Sequence, residues 1–568
     1  MFFSLLIENI INHTVLLFFL CASYAVGRLL FCQFLFATGF GLSALSLVIY
    51  NIFLIFGINL FTVSSIYVAM LLCIFFSMAY GTRFLNVQKE GIVSALTFRN
   101  LSTPAFLIPG FLLIIYFVVC AFPLAEGDSI AHYCYLPKLY ISGGNFSVGN
   151  TILHGSEPIL YQSLITFLAF FGTIEVASIF NFYLVLLLIL NLYEMCLTTN
   201  HIQNKINFNT FCLIIGIFVA NPLMYLMIQS GRPYILIAYF STSLLCFLLQ
   251  IFDKKIPNIY DVLFLGLMGG ALVSVNYLGV AALGCLFIAF LAVNYDTFKK
   301  NVKFVFIGGL VVMICAISFY LRTYFITGDL IHLPPLYTLE VNEFKGFWAP
   351  IKALFILSTR TNQGGNSCSI GILYVSFFPV LLYFIFKQSL WKIRKPRFIL
   401  VFITVFYFIW LSKIPQARSL IGIFPPYLLL LYLFVNLQKQ VYKYSIYLFC
   451  GLMVIYSIAQ FARFDYCDYL FNKQTKADFV YNKLSKWCND DKSFFEQNEI
   501  VSYIISNFRN YDVVFCDGVF PLTLLPNKVF KMGKERQNHN SILLCPNTIQ
   551  QPFKPLKCFK SYTIYAYQ

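Results

Sequence analysis

The chain has 568 residues, of which 60% are hydrophobic and 11% are charged. Soluble globular proteins carry roughly a quarter charged residues, so this composition excludes a water-soluble fold and predicts a membrane protein. The formal net charge is +16, and the basic residues lie in short segments between apolar runs. This distribution favours cationic membrane loops and no nucleic-acid partner.

Apolar runs long enough to cross a bilayer recur from Thr14 to Phe461. A spanning helix needs about 20 apolar residues, and the runs predict about 13 such helices. Met1–Ile11 lacks a basic region and no small-residue cleavage site follows it, so we predict no removable signal peptide. The predicted fold class is mainly α, with residues 1–461 forming a polytopic bundle of transmembrane helices.

The most basic segments set the predicted orientation, because cytoplasmic loops carry an excess of Lys and Arg. We place three of them in the cytoplasm: Arg83–Arg99, Phe298–Lys303 and Lys387–Arg397. Three longer segments then lie on the exterior face: loop 123–158, loop 322–369 and the tail after Arg463. Crossing by the apolar stretch Ile159–Phe171 would reverse this order, so we predict a short re-entrant or juxtamembrane helix there.

The tail, residues 462–568, is predicted to be a small soluble exterior domain of α/β type. Glu499–Phe508 has the pattern of an amphipathic helix, and Tyr511–Cys516 that of a strand that ends at a turn. An oxidising compartment would allow disulfides among five tail cysteines, with one left over: Cys467, Cys488, Cys516, Cys545 and Cys558. The sequence contains no Cys-x-x-Cys pair, so we predict no structural metal site.

Asp128 is the most informative residue of the first exterior loop. It follows the end of a predicted span by a few residues, so its carboxylate lies at the membrane boundary. Ionisable groups there are costly and often functional. The alternative is structural, because Asp128 is also placed to cap the interfacial helix predicted from Asp128 to Tyr140. Both interpretations stay open.

Further candidates have structural alternatives of their own. His154 and Glu157 precede the predicted re-entrant helix, where a loop histidine and a Glu-Pro helix start would be ordinary. Arg322 ends a span and would either reach lipid headgroups or hold a phosphate through paired donors. Arg418 falls on the exterior face against the usual charge bias, which indicates an anionic ligand or an anchor.

Together these residues place one carboxylate and several cations on a single face of the membrane. That combination suits a lipid-linked phosphosugar. Cations would hold the phosphate leaving group, and the carboxylate would take the acceptor's hydroxyl proton or bind a metal. Since the leaving group is already good, positioning and charge neutralisation would supply most of the catalysis.

Four segments in chain order resemble motifs of the GT-C glycosyltransferases, the class that holds protein O-mannosyltransferases and lipid A aminoarabinose transferases. They are GDSIAHYCYLPKLYISGG, SEPILYQSLITFLAFFG, FYLRTYFITGDLIHLPP and QARSLIGIFPP. The resemblance is strongest to the bacterial branch and covers roughly Ala105 to Leu437. It implies a GT-C bundle with exterior juxtamembrane helices, in a bacterial inner membrane.

The resemblance also implies roles for individual residues. Asp128 would be the catalytic or metal-associated carboxylate, with Mg²⁺ or Mn²⁺ as an open alternative. Arg322 and Arg418 would bind the carrier phosphate. Further substrate contacts would come from four residues: Lys138, Glu157, His154 and His332. Thr323 and Ser419 depart from the family pattern, which leaves the sugar, the acceptor and the metal open.

The predicted function is an inverting transfer of a sugar from a polyprenyl-phosphate carrier to an exterior glycan, lipid or protein acceptor. A polysaccharide polymerase or ligase would use the same donor and is distinguished by its product. A flippase for lipid-linked saccharide would place charges near the membrane midplane, whereas here they lie at the boundary. A membrane protein without catalysis, whose arginines are anchors, is the remaining alternative.

Overall fold

A computed structural model gives the fold. The residues that it describes are 2–31, 33–81, 104–124, 133–149, 157–199, 206–252, 257–331, 372–413 and 417–436, with short pieces between 448 and 567. Up to residue 436 the described chain is predominantly helical. Helices dominate because every backbone group inside a bilayer needs a hydrogen-bond partner within the protein.

The described helices follow one another with short connections. Those of the first half are α1 Phe2–Arg28, α2 Phe34–Phe56, α3 Leu60–Gly81, α4 Pro104–Val119, α5 Tyr135–Gly143, α6 Leu160–Ala169, α7 Val176–Thr199, α8 Phe208–Val219, α9 Pro222–Ser230 and α10 Tyr234–Ile251. Those of the second half are α11 Ile259–Val275, α12 Tyr277–Lys300, α13 Val302–Thr327, α14 Ile372–Lys387, α15 Arg394–Lys413 and α16 Phe424–Asn436.

Nine helices of the described part are long and apolar enough to cross a membrane. The bent pair α8–α9 makes a tenth, and α4, α11 and α14 are shorter apolar helices. The described part therefore has nine or ten candidate spans together with shorter apolar helices. The protein is a multi-pass transmembrane helix bundle, as its composition predicts.

The break between α8 and α9 has a local cause. Asn221 caps α9 by accepting a hydrogen bond from the Leu223 amide at 2.9 Å, and Pro222 occupies the first helical position. A proline is tolerated there but cannot continue the preceding helix. The chain therefore bends and carries the end of α9 toward the start of α7.

One end of the bundle collects basic side chains, and we call it the basic end. Arg394 donates hydrogen bonds to Asn294 Oδ1 and, at 3.3 Å, to the Phe252 carbonyl. Lys395 donates to the Thr198 carbonyl at 3.2 Å. These bonds join the ends of α7, α10 and α12 to the start of α15. The predicted cytoplasmic segments Phe298–Lys303 and Lys387–Arg397 thus lie at the same end.

The opposite end, which we call the loop end, contains α5 and α6. The Ile58 amide donates to the Gly144 carbonyl at 2.6 Å, so the turn after α2 meets the end of α5. The Ser178 hydroxyl donates to the Gln229 carbonyl at 2.9 Å, which joins α7 to α9. The first exterior loop is therefore packed against several spans.

Helix α6 occupies most of the stretch Ile159–Phe171. It has ten residues, all buried, and rises only about 15 Å. That length is half of a hydrocarbon core of about 30 Å, so α6 cannot cross a bilayer. It packs between α2, α5 and α7, as expected for a re-entrant or juxtamembrane helix.

The tail forms a five-stranded sheet of order β2-β1-β3-β5-β4. Its strands are β1 Asp512–Phe515, β2 Val529–Lys531, β3 Ser541–Pro546, β4 Pro555–Cys558 and β5 Tyr562–Tyr567. β1 pairs in parallel with β2 and β3, and β5 is antiparallel to β3 and β4. The strand predicted over Tyr511–Cys516 is confirmed.

The sheet contacts the membrane bundle at the loop end, because edge strand β2 lies beside α5. Cys545 in β3 is disulfide-bonded, whereas Cys558 is an exposed free thiol. The tail therefore lies on the same side of the bundle as the first exterior loop.

Candidate functional site

The residues predicted for the site divide into two groups. Asp128, His154 and His332 lie outside the described residues, and so does the predicted metal ligand, since it is Asp128. The other four are described: Lys138, Glu157, Arg322 and Arg418. All four belong to the loop end, although they come from four separate segments of the chain.

The helix predicted from Asp128 to Tyr140 is described only in its second part. α5 runs from Tyr135 to Gly143, and its N-cap residue is Cys134. Pro137 lies in the first turn of α5, where a proline is tolerated. The predicted start at Asp128, and with it the alternative in which Asp128 caps a helix, lies outside the described residues. Lys138 follows Pro137 and is half-buried.

Arg322 is held in place by the first exterior loop. Its Nη1 donates to the Glu157 carbonyl at 3.4 Å, and its Nη2 donates to the Phe146 carbonyl at 3.3 Å. The side chain is only 8% exposed. Arg322 thus turns into the protein toward the loop and does not reach outward to lipid headgroups.

An aromatic group supports Arg322 from the membrane side. The Tyr50 ring stacks on Phe319 with centroids 3.6 Å apart and on Phe146 at 5.4 Å. Tyr140 packs edge-on against Phe146 at 5.0 Å. Burial raises the pKa of Tyr140, and the nearby positive charge of Arg322 offsets only part of the rise. Tyr140 is therefore a neutral phenol at physiological pH and able to donate a hydrogen bond.

Arg418 lies in the 3-10 segment Ala417–Ile423, immediately before α16. Its guanidinium carbon is 5.6 Å from the ring centroid of Tyr234, the first residue of α10. A guanidinium over an aromatic face is attracted by the electron density of the ring. The Arg418 side chain is 8% exposed, so this second predicted cation is also inside the protein.

Arg232 is a third buried arginine, and it was not among the sequence candidates. It lies in the short break between α9 and α10, and only 1% of its surface is exposed. The Asn181 amide donates to the Arg232 carbonyl at 3.0 Å, which fixes the backbone of the break. Its signal in the sequence is a lone cation between two apolar helices, in the tripeptide Gly-Arg-Pro.

The start of α6 connects the surroundings of Arg322 with those of Arg232 and Arg418. Glu157 accepts from Arg322 through its carbonyl oxygen. One helical turn later, the Tyr161 hydroxyl donates to the Gly231 carbonyl at 2.7 Å. Gly231 is followed by Arg232, and the Arg418 guanidinium lies over the ring of Tyr234. Arg322 thus contacts the residues before α6, whereas Arg232 follows the Gly231 carbonyl that Tyr161 of α6 contacts.

Gly231 lies close to Leu124 and Cys134, described residues that flank the segment containing Asp128. A Cβ atom at Gly231 would lie 3.3 Å from Leu124 Cδ2 and 3.5 Å from Cys134 Sγ. Leu124 is the last described residue before Asp128, and Tyr133 is the first after it. The first exterior loop therefore leaves and rejoins the described structure beside the Arg232 backbone.

Gly231 itself provides a stability prediction. Its φ is +60°, and an added Cβ would approach Ala177 Cβ to 2.8 Å. We expect Gly231→Ala to destabilise the protein by about 1–3 kcal/mol, because alanine is strained at this φ and its methyl group collides. Thermal unfolding in detergent measures the effect. Gly216→Ala is the matched control, since a Cβ there meets no atom within 4 Å. Equal melting temperatures for the two variants would refute this reading.

Buried carboxylates partly balance the arginines. Glu157 is 2% exposed and Glu175, in the connection between α6 and α7, is 9% exposed. Burial raises the pKa of the Cys134 thiol, and the negative charge of Glu175 raises it further. Burial likewise raises the pKa of Tyr161 well above its usual value. The Cys134 thiol and the Tyr161 phenol therefore stay neutral.

Some polar groups near the site are buried without a hydrogen bond in the described part of the chain, among them the Tyr135 hydroxyl, Gln162 Oε1 and Gln229 Nε2. They belong to α5, α6 and the end of α9. Leaving such a group unsatisfied costs about 1–3 kcal/mol. A bound molecule with hydroxyl groups would relieve that cost.

The described residues near the site provide no set of metal ligands. Within the described ranges, no group of three or more His, Cys, Asp or Glu side chains is placed to hold one. The predicted metal ligand, Asp128, lies outside those ranges. The described cations at the site are arginines and Lys138, which bind anions directly.

Comparison with solved structures identifies the fold. ArnT from Cupriavidus metallidurans, bound to undecaprenyl phosphate, matches with a TM-score of 0.51 and 10% identity, over 81% of this chain and 97% of that chain. Its apo structure gives the same values. ArnT is an aminoarabinose transferase of the GT-C class. The chain has a GT-C fold.

The other comparisons add little to that result. The apo oligosaccharyltransferase of Archaeoglobus fulgidus has 10% identity over 74% of this chain and 64% of that chain, with a TM-score of 0.41, too low to support a fold assignment. No protein-family model matches the sequence, and the comparison with curated proteins gives no match. At 10% identity the likeness to ArnT concerns the fold, and the activity has to rest on the residues of the site.

Proposed function

We propose that the protein is an inverting glycosyltransferase that moves a sugar from a polyprenyl-phosphate carrier to an acceptor hydroxyl. One observation carries the proposal: three buried arginines lie at one end of a GT-C bundle. Arg322 donates to the Glu157 carbonyl, Arg232 follows the Gly231 carbonyl that Tyr161 contacts, and Arg418 lies over the Tyr234 ring. A guanidinium offers paired donors, and a phosphate accepts them well.

In the proposed reaction, the acceptor oxygen attacks the anomeric carbon while the bond from that carbon to the phosphate oxygen breaks. The acceptor's proton passes to the Asp128 carboxylate. The negative charge that develops on the departing polyprenyl phosphate is stabilised by the positive charges of Arg322, Arg418 and Arg232. Attack from the face opposite the leaving group inverts the anomeric configuration.

The neutral groups around the arginines fit a sugar between the phosphate and the acceptor. Tyr140 and Tyr135 provide phenol groups, and the amides of Gln162 and Gln229 provide an acceptor and a donor that have no partner among the described residues. Sugar hydroxyls pair with such groups. Lys138, Glu157, His154 and His332 are proposed for further substrate contacts. A divalent cation on Asp128 remains a separate proposal, tested by adding EDTA.

We infer that the loop end faces the exterior of an inner membrane. The basic end carries the segments that the positive-inside rule places in the cytoplasm. The disulfide of Cys545 supports the same orientation, because disulfides persist in oxidising compartments, and the tail sheet lies on the side of α5.

Thiol labelling of intact cells tests this orientation. We expect a membrane-impermeant maleimide to label the exposed thiol of Cys558 from outside. The matched control is Lys392→Cys, an exposed position at the basic end that should react only after the membrane is permeabilised. Labelling of Cys558 only after permeabilisation would contradict the proposed orientation.

The activity is tested with purified protein, polyprenyl-phosphate-linked sugars that carry a radioactive label, and an extract of cell envelope. We expect the label to move to an acceptor in the extract, one sugar at a time. Joining of whole repeat units would indicate a polymerase or ligase. Movement of the labelled lipid across vesicles without a new glycosidic bond would indicate a flippase and contradict the proposal.

A further inference from the structure

A long apolar groove opens between α12 and α13, with α11 and α10 as its floor. Its volume is about 950 Å³, close to the upper end of roughly 300–1,000 Å³ for small-molecule sites. The lining extends along α13 from Asn301 at the basic end to Leu321 near the loop end. That distance is about 30 Å at 1.5 Å per residue, the apolar thickness of a bilayer.

Glycines help to create this groove. Gly284 on α12 and Gly309 on α13 both line it, and a Cβ atom added at either would meet no other atom within 4 Å. Larger residues at these positions would project into the groove without a collision in the protein. The space between the two helices is thus large enough for a hydrocarbon chain, and its wall is almost entirely apolar.

The groove has charge at one end. Arg394 is the one charged side chain among its described lining residues. Hydrogen bonds to Asn294 Oδ1 and to the Phe252 carbonyl fix its guanidinium, which also lies 5.3 Å from the Phe252 ring centroid. The side chain remains exposed, as do the neighbouring Lys392 and Arg397. The mouth at the basic end is therefore positively charged.

The groove is separate from the proposed catalytic site. Tyr320 lines the groove, whereas Arg322 donates to the first exterior loop. Two residues along a helix correspond to a rotation of about 200°, so these side chains leave α13 on nearly opposite faces. A phosphate held by Arg322 would lie on the other side of α13 from the groove. The groove's own cation, Arg394, is at the opposite end of the bundle.

We propose that this groove binds an anionic phospholipid of the leaflet at the basic end. The lipid phosphate pairs with Arg394, and one acyl chain lies between α12 and α13 over Gly284 and Gly309. Charge complementarity favours this occupant: an anionic headgroup matches the basic mouth, and a saturated or unsaturated chain matches the apolar wall. The chain fills space that the two helices leave between them.

Native mass spectrometry of the delipidated full-length protein tests this site, with phosphatidylglycerol titrated against phosphatidylcholine. We expect one phosphatidylglycerol to be retained in preference to phosphatidylcholine. Arg394→Gln should weaken its retention about tenfold, by the loss of one charged hydrogen bond. Gly309→Leu should weaken retention of both lipids, because the leucine side chain occupies the groove. Unchanged melting temperatures would show that both variants are folded.

Two matched controls sharpen the result. Lys303→Gln removes an exposed cation at the same end, and Gly216→Leu fills an open position on α8, away from the groove. Both should retain phosphatidylglycerol as the wild type does. Equal retention of the two lipids, or no effect of Arg394→Gln, would overturn the proposal. Displacement of phosphatidylglycerol by polyprenyl phosphate, with the same sensitivity to Gly309→Leu, would overturn it too and assign the groove to the carrier.

Discussion

Replacing Asp128 with asparagine is expected to lower the rate of sugar transfer by about 10²–10⁴-fold, the usual contribution of a positioned general base. Asparagine keeps the size and shape of the side chain but cannot accept a proton at neutral pH. The measurement is the turnover of labelled polyprenyl-phosphate sugar by purified protein at saturating donor. Binding of the donor should change little, because the proton is transferred only during the reaction.

Glu126→Gln is the matched control for that experiment, because Glu126 lies in the same loop two residues before Asp128. We expect it to retain most of the activity. If Asp128→Asn transferred sugar at the wild-type rate, Asp128 would not be the base. If both variants were equally inactive, the role of the loop would be structural and not that of one carboxylate.

Replacing Arg322 with glutamine is expected to reduce kcat/KM for the lipid-linked donor by about 10–100-fold. The physical reason is the loss of a charged hydrogen bond to phosphate, about 1.5–3 kcal/mol, in a buried position where water cannot replace it. A steady-state assay with varied donor concentration measures the effect. Because the phosphate is present in both the bound donor and the leaving group, KM should rise and kcat should fall.

Arg322 also ties the first exterior loop to α13, so its structural role needs a separate readout. Arg322→Lys keeps the charge but loses the planar fork of donors, and it should recover only part of the activity. Melting temperatures of both variants reveal any unfolding. A glutamine variant that is folded and has normal kcat and KM would show that Arg322 does not hold the donor.

The general architecture could be predicted from the sequence because it depends on composition. An apolar run of about 20 residues forms a spanning helix in a bilayer. The clusters of Lys and Arg predict which loops lie on the same side of the membrane. The segments Phe298–Lys303 and Lys387–Arg397 accordingly meet at the basic end. The short α6 was also predictable, since a crossing there would have moved Lys299, Lys300 and Lys303 to the other side.

Arg322 and Arg418 were recognisable because each is a cation at the end of an apolar run, on the less basic side. Their burial was not, because the sequence does not tell whether a long side chain turns outward to headgroups or inward to a loop. The hydrogen bonds from Arg322 to Phe146 and Glu157 involve backbone carbonyls, which every residue possesses. The sequence therefore does not show which residues supply these carbonyl acceptors.

Arg232 was missed because its environment is created by packing. In the sequence it is one cation beside a glycine and a proline, which is typical of a loop. In the structure that loop is a break between α9 and α10, enclosed by α6 and α7 and almost inaccessible to solvent.

One carrier phosphate is proposed to contact both Arg322 and Arg418, and a double-mutant cycle on binding tests this shared contact. The measurement is the affinity of purified protein for polyprenyl phosphate alone, for wild type, Arg322→Gln, Arg418→Gln and the double variant. We predict that each single change weakens binding and that the two effects are not additive, with a coupling energy of about 0.5–3 kcal/mol. Additive effects, or an unchanged affinity in either single variant, would contradict a shared phosphate site.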